Sequence, residues 1–181
     1  MGSGQPASSG SRTLWIFAVT ALVAFAADVV SKLIVAAQLG DRPPVRLLGG
    51  AIYLVETRNS GAAFSLGTGA TIVLTLIAVI VIAVILRAAR RMRSRGWAIA
   101  LGLVLGGALG NLADRIFRAP APGRGHVVDW ISLFANDGHI WPVFNLADSA
   151  IVCGAVLAGV LAVRGIELDG RRGRRSEKPV Q

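Results

Sequence analysis

Cysteine occurs once in 181 residues, at Cys153, which excludes an intrachain disulfide and any zinc site built on a cysteine cluster. Histidine occurs twice, at His126 and His139, too far apart for a helical metal pair. There is no HExxH motif and no nucleophile elbow, so neither common hydrolase signature is present. Charged residues make up only 16%, against about 25% in soluble domains. Acids are the scarcest, with ten Asp and Glu against nineteen Lys and Arg, a net charge of +9. What fills the chain instead is apolar: 54% hydrophobic residues and a mean hydropathy of +0.62. That composition excludes disorder, which needs low hydrophobicity. It also argues against a nucleic-acid binder, which carries basic charge on a polar surface. A small integral membrane protein fits both the oil and the charge.

A membrane-crossing helix needs roughly 20 mostly apolar residues. Four segments qualify: Leu14–Ala37, interrupted by Asp28 and Lys32; Thr71–Leu86, able to reach back to Ala62; Trp97–Ile116, rich in glycine; and Val143–Val163. None alternates as a barrel strand does, so helices are predicted. The first segment has a rival reading as a cleaved signal peptide, with Ala24-Phe25-Ala26 as the cleavage site. Its apolar run continues through Val29, Val30, Leu33 and Ile34, which favours a span. Residues 1–12 read as a disordered tail, 13–164 as the membrane domain and 165–181 as a basic, unstructured tail. Between the first two spans, Val45–Glu56 reads as a short hairpin around Gly49-Gly50. Gly102, Gly106 and Gly110 recur every four residues and predict close helix contact. Cys153, with no charged neighbour, reads as a packing residue rather than a nucleophile.

Cytoplasmic loops carry the Lys/Arg excess. The N-terminus, the arginine-dense connection Arg87–Arg95 and the C-terminus together hold twelve basic and three acidic residues. The rest of the chain is balanced, seven against seven. Four spans put those three regions on one side, so the charge rule and the helix count agree that both termini face the cytoplasm. The polar residues within the spans then converge on the opposite, outer end. Asp28 and Lys32 lie in the outer half of the first span, and Asn111, Asp114 and Arg115 at the outer end of the third. Asn145 and Asp148 lie at the outer start of the fourth, with Asn59 and Asp129 just outside. Asp28 and Lys32 are spaced i,i+4, and Asn111, Asp114 and Arg115 i,i+3,i+4, so each set shares a helix face. An ionisable residue inside a membrane is costly and marks function by default.

Two aspartates sharing a site can divide acid and base roles in peptide hydrolysis, because like charges close together push one pKa up. Asp129 and Asp148 are the best candidates, each in an apolar setting that water still reaches. A Ser–Lys dyad is the competing enzyme reading. Ser31 and Lys32 are adjacent and diverge, and Ser149 with Lys32 has no supporting pattern. His126, Asp137 and His139 read as solvated loop residues. Asp114 reads as a partner holding Arg115 or a loop amide. Outside enzymes, a small four-span transporter or channel using intramembrane charges is the alternative, but it needs charges through both leaflets.

Five ordered blocks resemble the lipoprotein signal peptidase (signal peptidase II) family of bacterial intramembrane aspartic proteases. They are Asp28-Val29-Val30-Ser31-Lys32, Asn59-Ser60-Gly61-Ala62-Ala63-Phe64-Ser65, Gly110-Asn111-Leu112-Ala113-Asp114-Arg115, Val127-Val128-Asp129-Trp130 and Phe144-Asn145-Leu146-Ala147-Asp148-Ser149. Trp130 stands where Phe is commoner. The resemblance covers about residues 14–163. It implies that Asp129 and Asp148 are the catalytic dyad, with no metal and no cofactor. It implies cleavage of lipidated prolipoproteins just before a diacylglyceryl-modified cysteine. The implied setting is multi-pass in the bacterial cytoplasmic (inner) membrane, with the active site at the outer leaflet. The implied fold is four transmembrane helices, all-α apart from a small extracytoplasmic sheet cradle that includes Val45–Glu56. Asn59, Gly61, Asn111, Asp114, Arg115, Asn145, Asp28 and Lys32 are the expected substrate-binding or supporting residues. The expected partners are the substrate and membrane lipids, with no nucleic acid, and the chain is expected to act as a monomer.

Overall fold

The computed structural model describes residues 9–40, 42–61 and 69–172. In chain order it contains α1 (Ser9–Gln38), β1 (Val45–Leu47), a 3-10 turn (Leu48–Gly50), β2 (Ile52–Asn59), α2 (Gly69–Ala89), α3 (Arg95–Phe117), β3 (Val127–Leu133) and α4 (Leu146–Val163). All four α-helices are long and apolar enough to cross a membrane. The helix α1 starts at Ser9, inside the stretch expected to be a tail, and runs unbroken through Ala24–Ala26. The predicted extension of the second span to Ala62, and the block residues 62–65, lie outside the described residues.

The bundle is organised around α3, which packs on α1 and α4 and more lightly on α2. The sequence allows this because α3 lacks side chains where it meets its partner helices. A Cβ on Gly106 would lie 2.5 Å from the Ala21 carbonyl oxygen of α1, and one on Gly102 would lie 2.8 Å from Thr20 Cβ. A Cβ on Gly110 would collide with the Asp28 carboxylate, and one on Gly107 with the Ala147 carbonyl of α4. The four-residue glycine spacing is therefore a helix contact, as predicted. Phe17, Ala21, Ile85, Ala89, Met92, Ala98 and Leu105 fill the interior at the end away from the sheet. Leu22, Ile34, Leu76, Ile80, Val152 and Val156 point outward and are exposed, as lipid-facing side chains are. Cys153 joins them: it is exposed on α4 rather than packed, because α4 is apolar all round and offers no polar face to turn outward. Gly106→Ala should lower stability by about 1–3 kcal/mol through overpacking. Gly159→Ala, where a Cβ meets nothing within 4 Å, should be neutral or slightly stabilising. Thermal unfolding of both variants in the same detergent checks this.

The sheet is antiparallel with order β1-β2-β3. The predicted hairpin is present, and β2 runs three residues further, to Asn59. The third strand is an addition to the expected hairpin. It pairs Asn59 with Val127 and Thr57 with Asp129, and a register shift between Leu54 and Thr57 bends the pair. Phe144 bridges to Ile131, so the fourth span begins only at Leu146, after the extended Asn145, and not at Val143. Of the tail expected at 165–181, residues 173–181 lie outside the described residues, and the described part is not free. Leu168 O accepts from the Arg93 and Ser94 amides, and Trp97 Nε1 donates to Ile166 O, so residues 166–172 are clasped to the start of α3.

Candidate functional site

The start of α4 is a capping box. Asn145 Oδ1 accepts from the Asp148 amide at 2.9 Å, and Asp148 Oδ2 accepts from the Asn145 amide at 3.2 Å. The local sequence Asn-x-x-Asp produces this geometry, since both side chains satisfy amides that the helix cannot. It also fixes the Asp148 carboxylate at a helix N-terminus, where negative charge is favoured. The other Asp148 oxygen, Oδ1, accepts from Asn111 Nδ2 of α3 at 2.8 Å.

Asp129 comes from β3 and is 2% exposed. Its Oδ1 accepts from Asn145 Nδ2 at 2.6 Å and its Oδ2 from Asn59 Nδ2 at 2.9 Å. Asn59 is itself held by a turn: its Oδ1 accepts from the Gly61 amide at 2.7 Å. Gly61 has φ +88°, a conformation glycine adopts without strain. Asn145, fully buried, thus binds both aspartates, one through its side-chain amide and the other through the capping box. Burial raises the Asp129 carboxyl to about pKa 6, against donation from Asn59. The negative charge of Asp148 adds to the rise, while Asn145 and Lys32 oppose it.

Behind the two aspartates lies a buried ion cluster. Lys32 Nζ meets Asp28 Oδ2 at 2.7 Å, Asp114 Oδ2 at 2.9 Å and Asn111 Oδ1 at 3.0 Å, which uses its three protons. Asp28 Oδ1 accepts from the Ala147 amide at 2.9 Å and ties α1 to α4. Asp114 Oδ2 also accepts from the Val128 amide at 3.2 Å, which anchors β3. Its Oδ1 pairs with Arg118, not with Arg115 as expected. Arg118 is one helical turn on and shares the face of Asp114, whereas Arg115 is the next residue and points elsewhere. A backbone amide does donate to Asp114, as expected, but it belongs to β3 and not to a loop. The cluster contains two acids and two bases and is neutral by itself.

Arg115 is half-buried, donates to Asn111 O at 3.1 Å and lies within electrostatic reach of Asp148 and Asp129. A cavity of about 280 Å³ opens on Asp129 and Asn59 and is also lined by Arg58, Asp137 and Val143. Asp137 pairs with His139 on the exposed rim, and that hydrogen bond holds its carboxyl below the ordinary range. A larger cavity, about 580 Å³, lies between Arg91, Trp97 and Leu168 at the far end of the bundle, away from both aspartates. Among the described residues no group of three or more His, Cys, Asp and Glu could hold a metal ion.

The predicted polar residues therefore do meet: Asn59, Asn111, Asn145, Asp129 and Asp148 form one hydrogen-bonded unit, and Asp28, Lys32 and Asp114 support it from behind. Sequence reading missed Arg118, and it expected a loop where the amide of strand β3 is. The i,i+4 spacing from Asp114 was the available signal for Arg118.

Fold and site together define a multi-pass membrane protein with an amide-bridged pair of carboxylates at one end of its bundle. A family model described as Signal peptidase (SPase) II matches residues 20–164, and the chain belongs to that family of peptidases. It is 50% identical over 161 residues to a lipoprotein signal peptidase of Rhodococcus jostii, covering 89% of this chain and 78% of the relative. One from Streptomyces coelicolor is 49% identical over 161 residues, covering 89% and 76%. One from Mycobacterium tuberculosis is 45% identical over 174 residues, covering 94% and 84%. A solved bacterial membrane enzyme superposes with a TM-score of 0.67 at 25% identity, over 85% of this chain and 94% of that one. A second, at 24% identity, has the same TM-score and shows the same fold.

Proposed function

We propose that Asp129 and Asp148 are the catalytic pair of a prolipoprotein signal peptidase, cutting just before a diacylglyceryl-modified cysteine. The observation that carries the reading is Asn145, one buried residue that fixes both carboxylates. Asp129, with its raised pKa, holds the proton and donates it to the scissile carbonyl oxygen. Asp148, at the helix N-terminus, takes a proton from the attacking water. As the tetrahedral intermediate collapses, the amine leaves with a proton from Asp148. The water's oxygen stays on the signal peptide as its new carboxyl, and Asp129 recovers its proton. Metal and cofactor have no role in these steps. The site amides of Asn59, Asn111 and Asn145 are occupied in orienting the acids, so they act as support. The donors of Arg115 that meet no partner among the described residues are the candidates for the substrate carbonyl or the oxyanion.

The membrane domain of this reading is residues 13–164, acting as a monomer in the bacterial inner membrane among its lipids. Both termini lie in the cytoplasm, and the site faces the outer leaflet. The charge distribution supports that orientation, since the arginine-rich connection and residues 166–172 share the end away from Asp129. A lipid-bearing signal helix presents its cut site at that same depth. A transporter reading would need buried charges along the rest of the bundle. The buried polar residues there are Thr13 and Ser94 among those described, both uncharged.

Cleavage of a diacylglyceryl-modified precursor in detergent tests the proposal. The singly protonated pair is the active form, so kcat/KM should fall tenfold per pH unit above about pH 6. A flat profile from pH 5 to 8 would contradict the assignment of Asp129 as the acid.

A further inference from the structure

Only two residues other than glycine have positive φ among those described: Leu48 (φ +46°) and Phe134 (φ +64°). A large side chain at such a φ is an outlier that costs free energy unless something recovers it. Neither is compensated by packing inside the protein, for Leu48 is 77% exposed and Phe134 61%. They sit at one place. Phe134 follows the end of β3, and its amide donates to the Ala51 carbonyl beside the turn that carries Leu48. Val45 and Leu47, also exposed, flank them on β1. Beside this apolar tip, Arg46 lies opposite Tyr53 across the hairpin, and Arg46 Nη2 donates to Gly49 O at 2.6 Å. Arg46 has no acidic partner among the described residues.

The position limits what can cover the tip. The sheet lies against the end of α1: Ile34, Val35 and Gln38, with Leu39 just past the helix, share a cavity wall with Leu54 and Trp130. Strand β1 begins seven residues after α1 ends. The 3-10 turn packs on β1 and β2, so it overhangs the bundle instead of folding onto it. An apolar wedge with an arginine and a tyrosine collar, beside the end of a membrane-spanning helix, has the chemistry of a bilayer interface. There the apolar groups enter the acyl boundary and the guanidinium meets lipid phosphate.

We infer that the sheet tip formed by Leu48 and Phe134, with Arg46, is an interfacial anchor that inserts into the leaflet beside the site. The anchor holds the sheet, and with it Asp129, at a fixed depth. The ligand is the phospholipid surface itself, and the strained backbone is what aims both side chains at it.

A probe at the tip tests this without using activity. The full chain carrying Leu48→Cys and Cys153→Ser is labelled with bimane and placed in phosphatidylglycerol/phosphatidylethanolamine nanodiscs. Brominated acyl chains should quench the label at least twofold, and aqueous iodide should quench it much less than a label at Arg42→Cys. Strong iodide quenching without bromolipid quenching would overturn the inference. Turnover gives a second arm. In Leu48→Gly with Phe134→Gly, glycine removes the backbone strain and both side chains. Detergent turnover and unfolding temperature should be unchanged or higher, while turnover in nanodiscs should fall at least threefold. A lower unfolding temperature in detergent would mean that the side chains pack within the protein, which also overturns it. Loss of activity in every variant, the parent included, would count against the peptidase reading alone, because the quenching arm stands without it.

Discussion

Asp129→Asn and Asp148→Asn should each lower turnover of a diacylglyceryl-modified precursor by about 10²–10⁴-fold, the usual contribution of an acid or base, while both proteins still insert and bind substrate. Each change keeps the shape and removes a proton site. The two variants should nevertheless differ from a damaged protein in a way that stability reveals. Asp129 has its carboxyl raised from 3.8 to about 6 in the fold. A raised carboxyl stabilises the fold fully below its unfolded pKa, and that contribution is lost as pH rises through the folded value. Between pH 4 and pH 7.5 the native protein should therefore lose about 2 kcal/mol through this one group, at about 1.36 kcal/mol per unit, because the unfolded carboxyl is already partly ionised at pH 4. The amide that replaces the carboxyl in Asp129→Asn does not titrate. One of the two amides that now donate to Asp129 would face an amide NH2 instead, a pH-independent cost of about 1–3 kcal/mol. The unfolding temperature of Asp129→Asn relative to the parent should hence climb between pH 4 and pH 7.5, while activity stays absent. Near-normal cleavage by either variant would end the dyad assignment. A relative stability that does not change with pH would end the account of Asp129 as a buried, proton-holding acid.

Much of this site was legible because its pieces are helical and short-range. Asp28 with Lys32, Asn111 with Asp114, and Asn145 with Asp148 are each three or four residues apart, and 3.6-residue geometry puts each pair on one face. The spans were legible from hydropathy, to within a few residues at most ends. The β-part was not. Strand β3 reads as a short apolar stretch because its partner β2 lies about 70 residues earlier, and no local pattern announces that pairing. The bonds that make the site, Asn59 to Asp129 and Asn145 to Asp129, depend on that strand, so the five polar residues could be gathered at one depth but not wired together. Cys153 is misread for a different reason. In a bundle surrounded by lipid the outward face is as apolar as the inward one, so an apolar environment in sequence carries no direction. The glycines did carry direction, since only a backbone contact explains their spacing.

The sequence left open whether Asp28 and Lys32 bind substrate or hold the scaffold, and the charge balance of the buried cluster supplies a decisive experiment. Lys32 is fully buried and meets two carboxylates. Lys32→Met would leave Asp114 to Arg118 but strip Asp28 of the one cation it meets among the described residues, and an unpaired buried charge should cost about 3–5 kcal/mol. Adding Asp28→Asn should restore neutrality. An asparagine there still offers an oxygen to the Ala147 amide, and Asp114 still has Arg118 and the Val128 amide. The double variant should therefore be more stable than Lys32→Met alone, with a coupling energy of about 0.5–3 kcal/mol in the mutant cycle. Asn111 would lose one donor at Oδ1 but keep Asn145 Nδ2, so its own amide should stay aimed at Asp148. Turnover by the double variant should then recover to within about tenfold of the parent, an effect of orientation rather than chemistry. A double variant that folds as well as the parent but cleaves no better than Asp129→Asn would place the Asp28–Lys32 pair in the reaction itself.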